Sequence, residues 1–302
     1  MKRVALIVLG LLFFIASPLL AAQVPATHVV SPKWLAESMN NPHLVIVDVR
    51  SPKEYNAGHI PHAVNVHKGE YFQKGAFGNI EHVLDTPEMI TNVFRKAGIS
   101  NDSLVVFYST GANQKGWTFA TREFWTAWMF GLQNTALLHG GLEAWTAEKH
   151  AVSTEAVMPK EGNFAIHDMS LSSVATWPHI YYALATKKVQ FVDAREPAHY
   201  NGTDTDKRLL KHGHIPGAVE VAYYKFVKKH GNYYEMITPA EAKKVMSESK
   251  VSLHKPIIDY CNTGHLASAD WFAIKFLAGA KHIRMYDASM YEYTRSSLPV
   301  EK

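Results

Sequence analysis

Leu44-Val45-Ile46-Val47-Asp48-Val49-Arg50 returns later in the chain as Val189-Gln190-Phe191-Val192-Asp193-Ala194-Arg195. The first copy runs on through Glu54-Tyr55 to Gly58-His59-Ile60-Pro61-His62-Ala63-Val64, and the second through His199-Tyr200 to Gly213-His214-Ile215-Pro216-Gly217-Ala218-Val219. Asp48 and Asp193 lie 145 positions apart, as do Tyr55 and Tyr200, whereas Gly58 and Gly213 lie 155 apart. The second copy therefore carries ten extra residues, about Thr203 to His212. These are polar and charged, and they read as a surface loop. A chain of 302 residues has room for about two domains of ~150 residues each. The duplication says that they are related.

Both copies continue alike. Val105-Val106-Phe107-Tyr108 and Ile257-Ile258-Asp259-Tyr260 are short apolar runs. A loop follows each, then a helical stretch rich in Trp and Phe, over Trp117 to Met129 and Leu266 to Leu277. His139-Gly140-Gly141-Leu142-Glu143-Ala144-Trp145 and Asp287-Ala288-Ser289-Met290-Tyr291-Glu292-Tyr293 close the two copies. Helices are also expected at Pro32 to Met39 and Trp177 to Ala185. Apolar strands alternating with helical stretches predict an α/β fold: two domains, each a mostly parallel sheet flanked by helices. Such sheets bind ligands at the carboxyl ends of their strands. The expected division is 28–150 for the first domain, 151–165 for a Pro- and Gly-containing linker, and 166–302 for the second domain.

Cys261 is the only cysteine, and it follows the apolar run of the second copy directly. The sequence Cys261-Asn262-Thr263-Gly264-His265-Leu266-Ala267-Ser268 turns from strand into helix. That corner aims backbone N–H groups and a helix N-terminus at the sulfur, and both favour thiolate. A buried structural residue is the usual fate of a free cysteine. The loop context favours a reactive centre instead.

The N-terminus reads as a secretory signal. Lys2 and Arg3 precede an almost wholly apolar stretch from Val4 to Ala16, and the small pair Ala21-Ala22 follows. The apolar stretch is short for a spanning helix of ~20 residues. Cleavage after Ala22, giving residues 1–22 as leader, predicts a periplasmic mature protein with no membrane attachment. A lone thiol in an oxidising compartment needs a reason to exist, which again points to chemistry at Cys261. The net charge of +4 comes without a dense Lys/Arg stripe and does not suggest nucleic acid. No Cys/His cluster has metal spacing, and no cofactor is expected.

The combination of Asp-x-Arg, a following aromatic, Gly-His-Ile-Pro and a Cys-x-x-Gly loop opening a helix resembles the rhodanese superfamily. The tandem arrangement is similar to its two-domain sulfurtransferases, over about residues 28 to 300. The resemblance implies a catalytic C-terminal domain and an inactive N-terminal one, and Ser109 indeed stands where Cys261 stands. It implies that Cys261 takes a sulfane sulfur from a donor such as thiosulfate and passes it, as a persulfide, to cyanide or a thiol, with an exported acceptor protein as a further partner. The loop from Asn262 through Thr263, Gly264, His265 and Leu266 to Ala267 would cradle the sulfur. Arg195 and His199 would supply positive charge to the donor.

The chain departs from the family in places. Vertebrate thiosulfate enzymes place basic residues just after the cysteine, where this chain has Asn262 and Thr263, and an arginine where it has His199. The Gly-Ser/Thr-Gly-Val-Thr loop of mercaptopyruvate-specific enzymes is absent too, so the donor stays open. Asp193 with Arg195, like Asp48 with Arg50, is expected to form an internal brace. His59 and His214 are expected to be structural turn residues, and Arg208 and Lys211 solvated charges of the insert. The stripe Trp117, Phe124, Trp125 and Trp128 reads as core or domain interface. The basic aromatic run from Tyr223 to Tyr234 reads as a solvated face.

Two other functions compete. A phosphatase or arsenate reductase on this fold needs Cys-x5-Arg, but Ala267 stands six positions after Cys261. A phosphate dianion would then lack its guanidinium. A non-enzymatic sulfur carrier or binding module would keep the fold without turnover.

Overall fold

The computed structural model describes residues 24–67 and 83–302. The expected leader, residues 1–22, lies outside the described residues. Two five-stranded sheets, all parallel, form the framework. The first is built from β1 (Val29–Val30), β2 (Leu44–Asp48), β3 (Val64–Asn65), β4 (Leu104–Tyr108) and β5 (Thr135–Leu138), in the order β1-β5-β4-β2-β3. The second comprises β6 (Val174–Ala175), β7 (Gln190–Asp193), β8 (Val219–Glu220), β11 (Ile257–Tyr260) and β12 (Ile283–Tyr286), in the order β6-β12-β11-β7-β8. The orders are equivalent, as duplication requires. The central strands β4 and β11 are buried along their whole length, because helices cover both faces of a parallel sheet. The chain builds outward from β11 on both sides, so a crevice opens at its carboxyl end. Cys261 follows that end.

The helices start where local chemistry allows. Ser31, Ser51, Thr86 and Thr238 each precede a proline, and each side chain accepts the N–H of the third helical residue. The hydroxyl takes one donor that the helix leaves unpaired, and proline tolerates the first position. The helices so started are α1 (Pro32–Ser38), α2 (Pro52–Ala57), α3 (Pro87–Lys96) and α8 (Pro239–Glu248). Elsewhere, α4 spans Trp117–Met129, α5 Gly141–Ala147, α6 Trp177–Thr186, α7 Pro197–Tyr200, α9 His265–Phe272 and α10 Ser289–Tyr293. A π-helical turn, Ala273–Leu277, extends α9 where the sequence pattern predicts one uninterrupted helix.

The two domains meet along α4 and α9. Phe124 packs edge-on to Phe272 at 4.9 Å, and Trp128 packs against Trp271 and Phe276 at 6.4 and 5.0 Å. Trp117, Phe124 and Trp125 are buried, so the aromatic stripe is interface and core. The ammonium of Lys275 sits 5.6 Å from the rings of both Trp128 and Trp271.

The stretch from Tyr223 to Tyr234 corrects its sequence reading. It is not a solvated face: Tyr223 and Phe226 are buried, and an antiparallel hairpin follows, β9 (Val227–His230) with β10 (Tyr233–Met236). The hairpin docks on the first domain. The Tyr234 N–H donates to Gly111 O at 2.7 Å, and His139 Nε2 lies 3.0 Å from Met236 O. Only its tip, with Lys229 and His230, is exposed.

Candidate active site

Gly264 makes the corner at Cys261. It caps α9 at φ +75°, a conformation that side chains resist. A Cβ there would stand 2.6 Å from Arg122 Nη1 and 2.8 Å from Asp287 O. The first-turn N–H groups of Leu266 and Ala267 have no partner within α9, so the helix start presents donors. Cys261 itself is 1% exposed and lies at the floor of the loop.

Ser289 closes the loop from behind. Its hydroxyl accepts the N–H of Cys261 at 3.1 Å and of Gly264 at 3.2 Å, and donates to Tyr286 O at 2.7 Å. The backbone adds two bonds, Met290 N–H to Cys261 O and Tyr291 N–H to Asn262 O, both 3.0 Å. Ser289 sits at φ +52°, uncommon for a residue with a side chain. Sequence reasoning missed it. The available signal was its alignment with Gly141 of the first copy, which stands at φ +61°. A serine at a position suited to glycine carries strain that its hydroxyl must justify.

Arg195 braces the opposite side. Its Nε and Nη2 grip the Asp193 carboxylate at 2.8 and 2.6 Å, Nη2 also reaches Gly213 O at 2.7 Å, and Nη1 reaches Asn262 Oδ1 at 3.1 Å. Burial works against its charge, but Asp193 outweighs that and holds the guanidinium above its ordinary value, with Tyr260 and Cys261 adding in the same direction. Arg50 repeats this grip on Asp48 and Gly58 O. Asn262 is occupied at both ends of its amide, since Nδ2 donates to Asp206 Oδ2 at 2.8 Å. His59 and His214 each stack on the preceding tyrosine, Tyr55 and Tyr200, with centroids 3.8 Å apart. Both are turn braces.

Asp206 links the ten-residue insert to the loop. It also pairs with Arg208 at 2.5 Å, which holds its carboxyl below the usual range. Arg208 is raised by Asp206 first, and Cys261 and Tyr291 contribute further. Its side chain is 47% exposed and held by Asp206 within the insert. Lys211, by contrast, donates to the carbonyls of Ser296 and Leu298. His199 pairs with Asp204 at 3.7 Å and makes no hydrogen bond to the Cys261 loop. Thr263 and Ala267 are buried, Leu266 packs against the core, and His265 stands edge-on to Phe119 at 5.8 Å.

Two buried carboxyls lie beneath the cysteine. Burial pushes Asp259 and Asp270 well above the usual range, and the charges of Asp259 and Cys261 raise Asp270 further. Neither Asp270 oxygen has a hydrogen-bond partner. A neutral acid is the form this setting accepts. Among the described residues no group of three or more His, Cys, Asp or Glu side chains could hold a metal ion.

The corresponding loop of the first domain is filled from within. Leu142 N–H donates to Ser109 O, as Met290 does to Cys261, so the loops superpose in role. There the Glu143 carboxylate accepts the Gly111 N–H and, at 2.6 Å, the Thr110 hydroxyl. Val227, Tyr234 and Met236 of the hairpin then close the cavity around Ser109 and Gly111. An internal carboxylate thus takes two of the donors of this loop.

The rhodanese-like domain family matches twice, over residues 31–148 and 179–296. A thiosulfate sulfurtransferase of Mus musculus is 30% identical over 298 residues, covering 89% of this chain and 93% of that protein. A 3-mercaptopyruvate sulfurtransferase of Escherichia coli K12 is 30% identical over 291 residues, covering 91% and 98%. The crystal structure of SseA from Escherichia coli, described as a 3-mercaptopyruvate sulfotransferase with the rhodanese fold, is similar with a TM-score of 0.75. It is 28% identical, over 86% of this chain and 97% of that one.

Proposed function

The chain belongs to the rhodanese-like family, and on that premise we propose that it is a sulfurtransferase moving a sulfane sulfur through a Cys261 persulfide. The observation that carries this reading is the placement of the chain's one thiol at the carboxyl end of β11, inside a loop held by Ser289, Arg195 and the start of α9. The Cys261 thiolate attacks the outer sulfur of the donor. With thiosulfate, the donor S–S bond breaks and sulfite leaves with the electron pair. Cyanide or a thiolate then attacks the outer persulfide sulfur, and the electron pair returns to Cys261. Both steps displace an anion at sulfur and need no general base.

The donor is a small anion. Arg208 offers the more accessible guanidinium at this site, half-exposed although paired with Asp206, while Arg195 is buried against Asp193. The insert therefore supplies the cation that Asn262 and Thr263 do not. Thiosulfate and 3-mercaptopyruvate, the donors in the names of the similar proteins, both suit that charge. The N-terminal sequence supports export and a periplasmic location, with cleavage after Ala22. The mass of the secreted protein tests that cleavage directly.

Intact mass before and after each donor tests the chemistry. A gain of one sulfur, lost on adding cyanide and absent in Cys261→Ser, is the expected result. Sulfur loading with rapid transfer to a protein thiol but no turnover with small acceptors would replace the enzyme by a carrier. No gain with either donor would overturn the reading.

A further inference from the structure

Arg122 is fully buried, belongs to the domain without a nucleophile, and ends in the loop of the domain that has one. Its Nη2 pairs with Asp287 Oδ1 at 2.5 Å, and its Nη1 donates to Gly264 O at 3.2 Å. Asp287 also accepts the Leu84 N–H at 3.1 Å, so two segments of the first domain hold it. Taking a guanidinium out of water costs several kcal/mol, and apolar packing would join two helices as well or better. Stability of the α4–α9 contact therefore does not account for an arginine here.

Its geometry offers another reason. Gly264 is held on both polar groups, its N–H by Ser289 and its C=O by Arg122 together with the Ser268 N–H of α9. The peptide unit is planar, so fixing that carbonyl also fixes the N–H of His265, which points the opposite way. Asp287, the other anchor, stands two residues before Ser289 and directly after Tyr286, whose carbonyl receives the Ser289 hydroxyl. Arg122 thus grips both ends of the bridge that sets the Cys261 loop. The first copy lacks the arrangement, since His139 occupies the position of Asp287 and faces the hairpin instead.

We propose that Arg122, paired with Asp287, is a positioning residue for the Cys261 loop, so that the first domain is a working part of the active site. The inference rests on Cys261 being the reacting thiol. It gives the duplicated, nucleophile-free domain a role that a single copy could not supply to itself.

The test compares Arg122→Gln, Arg122→Lys and Asp287→Asn in the full chain. The readouts are thiosulfate:cyanide turnover and the rate of Cys261 alkylation by iodoacetamide against pH. Arg195 with Asp193, Arg208 with Asp206, and Asp259, Tyr260 and Asp270, the other charged or titratable groups around the loop, stay in place in all three. Arg122→Gln and Asp287→Asn are expected to lower kcat by about tenfold or more with a smaller change in KM. In Arg122→Gln, which removes a cation as well as the brace, the alkylation midpoint should move to higher pH by about half a unit. Arg122→Lys keeps the charge without the fork and should recover part of both. If Arg122→Gln does not fold, the two milder variants decide. Folded Asp287→Asn and Arg122→Lys proteins with unchanged kcat and alkylation profile would overturn the proposal. Because alkylation needs no sulfur donor, that failure is distinct from a wild-type protein that does not load sulfur at all.

Discussion

The Ser289 hydroxyl lies 3.1 Å from the backbone nitrogen of Cys261 and accepts its proton. One side chain thereby takes two of the N–H groups of the Cys261 loop, those of Cys261 and Gly264. Removing the hydroxyl leaves both donors buried and unpaired, at about 1–3 kcal/mol each. Ser289→Gly relieves the positive φ while removing the hydroxyl, whereas Ser289→Ala keeps the strain. Turnover should fall about tenfold or more in both, with Ser289→Gly the more stable of the two by about 1 kcal/mol. Steady-state kinetics and chemical denaturation measure this. Equal stability would remove the strain argument.

Arg208 is the proposed cation for the donor, carried by the insert. Arg208→Gln should raise KM for thiosulfate about tenfold, with less change in kcat, because a charge that meets the donor anion on binding is lost. The difference from wild type should shrink as salt rises, since the guanidinium is partly exposed. An unchanged KM at low salt would place the anion elsewhere.

Asp270 sets a pH dependence of stability. Its folded value is raised by burial first, then by Asp259 and Cys261. Below the ordinary carboxyl value near 3.8 both folded and unfolded chains hold the proton, and the group is neutral to folding. Above it the unfolded chain releases the proton while the folded chain keeps it, so stability declines as pH rises. Asp270→Asn removes that slope. Its thermal midpoint should match wild type near pH 4 and exceed it near pH 8, by about 3 °C or more. A wild-type midpoint that rises with pH relative to the variant would mean that Asp270 is ionised in the fold.

The first domain should stay silent even with a thiol. Ser109→Cys in the Cys261→Ser background places sulfur at the equivalent corner, but Glu143 holds Gly111 N–H and Thr110. No sulfur should be gained from thiosulfate by intact mass. Loading of the introduced thiol would show that the missing sulfur alone, and not the occupied loop, silences the first domain.

The difference between the copies is legible because a repeat exposes its own differences. Asp48 and Asp193 align without structure, and so do Ser109 and Cys261. The brace of Arg195 on Asp193 could be read too, because its partners are two residues apart. The hairpin reads as a solvated run in sequence because its tyrosines and lysines carry no sign of the domain they dock against.

By itself the amino-acid sequence determined the duplication, the parallel α/β layout and the position of the single thiol. These follow from short-range patterning, in which apolar runs make buried strands and a glycine three residues beyond the cysteine turns the chain into a helix. Tertiary structure alone decided what surrounds the sulfur. Ser289 lies 28 residues from Cys261, Asp206 lies 56 from Asn262 and Arg122 lies 142 from Gly264. Hydrogen bonds between such distant residues leave no periodic trace in the chain. They exist because the sheet order brings β12 beside β11 and because α4 packs on α9.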